Sequence, residues 1–505
     1  MERNRARRSR RTRGTLLALT AAGTLVLTAC GAGGAENQSN GPDNRGLPAP
    51  APAHGDQGFE SAPSDGHLST FALDVDTASY TYARRTLADG RTPDPSTVRP
   101  EEFVNSFRQD YRRPDGNGFS VTVDGARTAE PNWSLVRVGL ATRTAEPTGH
   151  RPPAALTFVI DVSGSMDEPG RLDLARQSLS TMTDRLRDDD SVAVVTFSEH
   201  ARTVLPMTRL GGHRGEVHDA IDGLEALSST NLGAGVEIGY ATAVEGLRKG
   251  ATNRVVLVSD ALANDGETSP DAILRRIDSA RREHGITLFG VGVGSDYGDA
   301  LMERLADKGD GHTAYVSDAD EARKVFCGQL PQNIELTARD AKAQVAFDPH
   351  TVAAFRLVGY DDRKVADDDF RNDRVDGGEV GPGHTVTALY AVRTRPGADG
   401  HLATATVRWL DPSTRAPQEE SGALETGALK DSVREASPRF QVTAVAAYFA
   451  DALRAGTDHG PALPGAPSLT RLAARAATLA GTTEDRDVQA LADAIREADR
   501  TDTAD

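Results

Sequence analysis

The 505-residue chain holds only two cysteines, Cys30 and Cys327, so no disulfide framework can fix the fold and packed cores must do so. Catalytic signatures are also missing. There is no Gly-x-Ser-x-Gly, His-Glu-x-x-His, Walker-type Gly-Lys-Ser/Thr or Cys-x-x-Cys, and the twelve histidines show no ligand spacing. The longest apolar run near the amino terminus, Leu16 to Leu27, falls short of the ~20 residues needed to cross a bilayer. Basic charge is scarce: 57 Lys and Arg face 74 Asp and Glu, a net −17 that argues against nucleic acid and against an electrostatic hold on anionic lipid.

What the chain does have is LTFVIDVSGSM at 156–166, an apolar run ending in Asp-x-Ser-x-Ser. A buried strand of this kind delivers Asp161, Ser163 and Ser165 to the loop at its carboxyl end, where an α/β sheet places its ligand sites. A carboxylate and two hydroxyls at alternate positions are hard oxygen donors that suit a small hard cation. Thr230, in SSTNLGAG, lies just before the apolar-periodic stretch Leu232 to Leu247, and Asp260 ends the apolar run RVVLVSDA. Both acids should therefore emerge at the same sheet edge. Around them, Arg171 to Leu186 has helical spacing, Ser191 to Phe197 and ITLFGVGVG (286–294) read as strands, and SPDAILRRIDSARRE opens with Ser269 as cap and Pro270 at the first helical position. Strands alternating with helices predict a doubly wound, Rossmann-like, mostly parallel sheet over 154–318, followed by a capping box, Asp318 with Glu321, that opens the next helix. Cys327 falls in that helix and reads as a small buried residue.

Asp161, Ser163, Ser165, Thr230 and Asp260 together resemble the metal-ion-dependent adhesion site of von Willebrand factor type A (VWA) domains. The resemblance implies that Ser163, Ser165 and Thr230 bind Mg²⁺ or Mn²⁺ directly and that Asp161 and Asp260 support it largely through water. One coordination position then stays open for an Asp or Glu of a protein partner. The family often has Gly after the last acid, where this chain has Ala261.

At the amino terminus, seven arginines between Arg3 and Arg13 precede the short apolar run, and Leu-Thr-Ala-Cys30-Gly resembles a bacterial lipobox. This implies a signal peptide over 1–29, acylation of Cys30, and a lipid-anchored protein at the extracytoplasmic face of the cell membrane. The rival reading is a plain transmembrane anchor. Arg10 and Arg11 suggest twin-arginine export, but Arg13 and Gly14 stand where that signal is usually apolar, so both export routes stay open. Loss of residues 1–29 would remove seven Arg and one Glu, leaving 50 basic against 73 acidic residues, a net −23. Residues 30–65, rich in Gly, Pro, Ala, Asn and Asp, read as a disordered tether.

Two regions flank the central domain. FSVTVDG and WSLVRVGL before it, and AQVAFDP, AFRLVGYD, TVTALYAV and ATATVRWL after it, have strand character, and helical spacing runs over Ser437–Leu453 and 469–494. Such an order suggests that the flanks pack together as one mostly β unit with a helical end. DVDTASY with RPEEFVNSF, and RLVGYDDR with GEVGPGHTVTALY, resemble the segments bracketing the VWA domain in a family of bacterial lipoproteins: an N-terminal family region (66–150) and a C-terminal domain of unknown function (319–500). Asp74 and Asp76 read as polar residues alternating along a half-buried strand, with a second cation site as the alternative, and His312 as a surface or loop residue. The functional expectation is a lipid-anchored module that grips an acidic residue of a protein partner through the cation, and not an enzyme. The alternatives are a metal-independent envelope scaffold and a metal-assisted hydrolase.

Overall fold

The computed structural model describes residues 60–61, 67–73, 76–144, 151–260, 270–294, 302, 305–306, 311–316, 318–330, 334–373, 375, 377–455 and 461–502. Cys30, Asp74 and Ala261 lie outside these residues, as do the signal peptide and the tether apart from Glu60–Ser61, which are not disordered but pair antiparallel with Phe355 and Ala354. Cys327 belongs to the helical turn Val325–Gln329, but its side chain is not among the described ones.

In chain order the first flank contributes β1 (Leu68–Ala72), α1 (Ala78–Ala88), α2 (Pro100–Asn105), β2 (Phe119–Arg127) and β3 (Trp133–Thr142). The central domain follows with β4 (Ala154–Asp161), α3 (Leu172–Arg185), β5 (Ser191–Phe197), β6 (Ala201–Arg209), α4 (Arg214–Asp222), α5 (Leu232–Glu245), β7 (Thr252–Ser259), α6 (Pro270–His284), β8 (Thr287–Val293), β9 (His312–Val316) and α7 (Ala319–Lys324). The second flank adds β10 (Ala338–Phe347), β11 (Val352–Leu357), β12 (Thr385–Thr394), β13 (His401–Leu410), β14 (Pro417–Glu425), α8 (Pro438–Leu453), α9 (Leu469–Thr483) and α10 (Arg486–Asp502).

The central sheet runs β9-β8-β7-β4-β5-β6, parallel except for the edge strand β6. Its inner strands are unbroken runs of buried residues, as expected for a parallel sheet covered on both faces. One core holds Phe158, Leu179 and Val258, and the other holds Val159, Val236 and Ile277. Helix α5 presses close on the sheet because it carries glycine where it crosses it. A Cβ on Gly239 would lie 2.3 Å from Val159 Cγ2, and one on Gly235 2.6 Å from the Phe197 ring. The sheet order switches at β4, with β5 and β6 on one side and β7, β8 and β9 on the other, and this opens a crevice at its carboxyl end. At the other end, Asp190 accepts from the N–H groups of Ala154 and Arg187, both at 2.7 Å, and from both Arg151 Nη atoms, at 2.8 and 2.5 Å.

The two flanks do combine. β1 pairs with β10 (Phe71 opposite Ala343) and β3 with β12 (Val138 opposite Ala388), giving two antiparallel sheets packed face to face over Phe71, Val138, Val345, Phe355 and Tyr390. Helices α1 and α2, for which the sequence reading had no place, share a second core with α8, α9 and α10, built on Phe103, Phe440, Phe449, Leu479 and Ile495. The helical spacing over 469–494 is two helices, broken where Glu484 adopts φ +50°.

Two readings are corrected. β1 ends at Ala72, so Asp76 is not on a strand; it lies just ahead of α1, 3% exposed, and accepts from Thr313 N–H at 2.8 Å and Arg363 Nη2 at 3.2 Å. His312 is not a surface residue either. It opens β9 and is buried, with Nδ1 3.5 Å from the Asp76 carboxylate. Both side chains serve the contact between the flanks and the central domain.

If a specific protease site is placed within 145–150 and cut, the two fragments should co-elute under native conditions, because β1–β10 and β3–β12 cross the cut; separate elution would refute the shared sheets. Burial raises the Asp190 carboxyl, but the hydrogen bonds from Arg151 and the N–H groups of Ala154 and Arg187 outweigh it and hold the group below its ordinary 3.8. Its stabilisation is therefore complete above pH 4 and lost as pH falls through the lower folded value. Asp190→Asn should cost about 3 kcal/mol in urea unfolding at pH 7, and the difference from wild type should shrink in acid.

Candidate functional site

Asp161 is the last residue of β4, opposite Phe197 on β5 and one residue beyond the Ile160–Val258 pairing with β7. The next residues leave the strand in a tight turn: Val162 N–H donates to Phe197 O at 2.9 Å, and Ser163 N–H to Asp161 Oδ1 at 2.8 Å. Ser163 precedes the short helical turn Gly164–Asp167, which carries Ser165, and the Ser163 and Ser165 hydroxyls meet at 3.1 Å.

Thr230 comes from a different segment. Leu227 N–H donates to Val162 O at 2.6 Å and Asn231 N–H to Ser198 O at 2.7 Å, so the chain between them is pinned to the ends of β4 and β5. Asn231 then caps α5 by accepting from Ala234 N–H at 3.0 Å, and Thr230 is held 2% exposed between these anchors. Asp260 follows β7 and is fully buried. All five residues expected from the sequence thus lie at the carboxyl edge of the sheet, Asp161 and Asp260 at the ends of β4 and β7, Ser163 and Ser165 in the turn after β4, and Thr230 in the loop before α5.

The electrostatics are uneven. Burial pushes the Asp161 carboxyl up to about 6; donation from Ser259 and Ser163 opposes the rise, and the nearby Asp260 charge adds to it. Ser259 Oγ donates to Asp161 Oδ2 at 2.6 Å, tying the ends of β4 and β7 together. Against the two buried acids stands Arg171, just ahead of α3. Its Nη1 donates to Asp260 Oδ2 at 2.9 Å and to Ser165 O at 3.0 Å, and its Nη2 lies 2.7 Å from Glu168. Gly294 makes room for it, since a Cβ there would sit 2.6 Å from Arg171 Nε. The sequence reading missed Arg171 and Ser259. The available signals were an arginine six residues past Ser165 and a hydroxyl adjacent to Asp260.

The donor set fits a small divalent cation: two carboxylates, three hydroxyls and no soft ligand. Among the described residues Asp260 Oδ1 is buried with no hydrogen-bond partner, and one arginine shared with Glu168 leaves Asp161 and Asp260 short of positive charge. Among the described residues no group of three or more His, Cys, Asp or Glu gathers as a metal cluster, so the hydroxyls carry the case for a metal here.

Comparison with known proteins agrees with this architecture. The model of the von Willebrand factor type A domain matches residues 155–327, one described as "von Willebrand factor" matches 53–137, and one described as "Uncharacterized protein YfbK, C-terminal" matches 333–399. The chain is 35% identical over 411 residues to the uncharacterized protein YfbK of Escherichia coli (strain K12), covering 77% of this chain and 71% of that protein. It is 28% identical over 181 residues to inter-alpha-trypsin inhibitor heavy chain H4 of Homo sapiens, covering 34% of this chain and only 19% of the human one. Among solved structures, the von Willebrand factor type A protein from Catenulispora acidiphila aligns with 76% of this chain and 91% of its own, at 18% identity and a TM-score of 0.48. With its VWA domain and both flanking regions matched, the chain belongs to the bacterial VWA protein family that includes YfbK.

Proposed function

We propose that this protein is a lipid-anchored binding module on the extracytoplasmic face of the cell membrane, which engages an Asp or Glu of a partner protein through Mg²⁺ or Mn²⁺ at the VWA site. The VWA domain is a protein-interaction module, often metal-dependent. The observation that carries the reading is the meeting of the Ser163 and Ser165 hydroxyls, Thr230 and the two buried acids at one sheet edge.

A divalent ion bound there supplies a Lewis-acidic position for a partner's carboxylate. The chain's own part is to hold the donors still. Ser163, Ser165 and Thr230 would hold the ion directly. Asp161, fixed by Ser259 and by Ser163 N–H, and Asp260, fixed by Arg171, would lend charge from behind. Fixed donors need little ordering on binding, which favours a shared carboxylate at an otherwise acidic surface. Cys30 would carry the lipid. The last helix, α7, is held to the flanks by Arg84–Glu321 and by Lys324–Asp487 at 2.7 Å, so the flanking body is placed to bias the domain.

One observation favours a second reading, a metal-independent scaffold: Arg171 already neutralises Asp260 without any ion. Metal removal separates the two, since a partner released by EDTA supports the first reading and one retained in EDTA supports the second.

Calorimetric titration of Mg²⁺ into residues 31–505 should give saturable 1:1 binding that disappears in Ser163→Ala; wild type without binding would refute the adhesion site. Arg171→Gln should lower metal-free stability by about 3 kcal/mol, because it strands a buried carboxylate. Mg²⁺ should restore part of that loss, so the gap between melting temperatures in Mg²⁺ and in EDTA should widen relative to wild type. An unchanged gap would show that ion and arginine do not share Asp260.

A further inference from the structure

In a chain with 74 acidic against 57 basic residues, a patch where arginines outnumber acids needs an explanation. One lines a groove of about 630 Å³ between the end of β2 and helices α8 and α9, on the flanking body. Its floor is apolar: Val445 and Tyr448 of α8 and Leu472 of α9 are buried, and Tyr448 turns its hydroxyl aside to donate to Pro464 O at 2.9 Å. Gly465, at φ +70°, closes one end; a Cβ there would come within 3.0 Å of Ala129 N.

Four arginines lie along the rim. Arg127 reaches Asp431 at 3.9 Å, but Arg434, Arg471 and Arg475 have no carboxylate partner among the described residues. Arg475 donates instead to the neutral Gln441. Burial, followed by the Arg434 charge beside it, holds the Arg475 guanidinium below its ordinary range. Arg471 and Arg475 stand one turn apart on α9, a spacing at which two guanidinium forks can present to one ligand. Among the described residues Glu130 is the single acid of the lining, and its Oε2 accepts from Gly465 N–H at 3.2 Å at the closed end. Unpaired guanidiniums around a concave apolar floor complement a ligand with carboxylates on either side of an aliphatic group. A flat anionic bilayer fits this shape poorly, and the net charge of −17 opposes it.

We propose that this groove binds an acidic peptide segment, with carboxylates on Arg434, Arg471 and Arg475 and an aliphatic side chain against Val445 and Leu472. The site is built wholly from the flanking regions and works without the VWA metal.

The test uses the soluble chain, residues 31–505, in EDTA, so that failure of the metal site leaves the result intact. A fluorescein-labelled peptide containing Glu-Leu-Leu-Glu is titrated by anisotropy beside its Gln-Leu-Leu-Gln counterpart, and both against the variant Arg471→Gln/Arg475→Gln. Neither arginine is buried, and a melting curve confirms that the variant is folded. Saturable binding of the glutamate peptide, weakened about tenfold or more by either change and by added salt, supports the proposal. Equal binding of the two peptides, unchanged binding by the folded variant, or no saturation at millimolar protein overturns it. Binding of phosphatidylglycerol vesicles that disappears in the variant, without peptide binding, overturns it too and assigns the arginines to a membrane.

Discussion

A single buried carboxylate joins the three parts of this molecule. Asp76 comes from the first flank, takes the Thr313 N–H and faces the His312 ring on the edge strand of the central domain, and pairs with Arg363 of the second flank. Arg363 also lies 3.6 Å from Glu101, whose carboxyl is raised by burial against the pull of that guanidinium. Charges out of water are tolerated only when their partners are in place, so none of the three parts can leave without stranding the others. Further ion pairs repeat the pattern nearby: Arg254 with Glu379 at 3.4 Å, and Arg143 with Glu335 at 3.4 Å where the chain enters and leaves the central domain. The VWA domain is thereby seated in its flanks and does not hang from a linker.

Much of the central domain was legible because parallel strands buried on both faces must be apolar throughout. Two of those runs end at Asp161 and Asp260, and so the sheet edge that gathers the five proposed site residues could be read from the sequence. The reading failed where burial is one-sided or long-range. β6 is an exposed edge strand interrupted by Pro206, so it shows neither an apolar run nor clean alternation. Arg171 was invisible because an arginine on a loop is ordinarily a solvated residue; only the coordinates show its guanidinium lying on Asp260. Asp76 and His312 misled for the same reason, since each is polar by type and buried through partners far away in the chain. The packing of α1 and α2 against α8 to α10 depends on segments that meet only after the whole central domain has been traversed.

The chain's electrostatics divide between its two bodies. At the sheet edge, two buried acids are short of positive charge, and one arginine serves as a resident counter-ion. On the flank, three arginines are short of negative charge around an apolar floor. The arginine groove holds the charge that is scarce in a molecule whose net charge is negative. The two proposed sites would differ in range as well: a metal ion would act at bonding distance, whereas guanidinium forks would act through hydrogen bonds and remain sensitive to salt.

The insertion of the central domain also sets an order of events during synthesis. Among the described residues β1 finds its partners only in β10 and in the short strand Lys364–Val365, and β3 only in β12 and in its hairpin mate β2, whereas every strand of the central sheet pairs within 154–316. As the chain emerges from the amino-terminal side, the central sheet can close while the first flank still waits with an open edge. The half-built sandwich is thus the stage most exposed to aggregation, and it lasts until residues near 425 have been made.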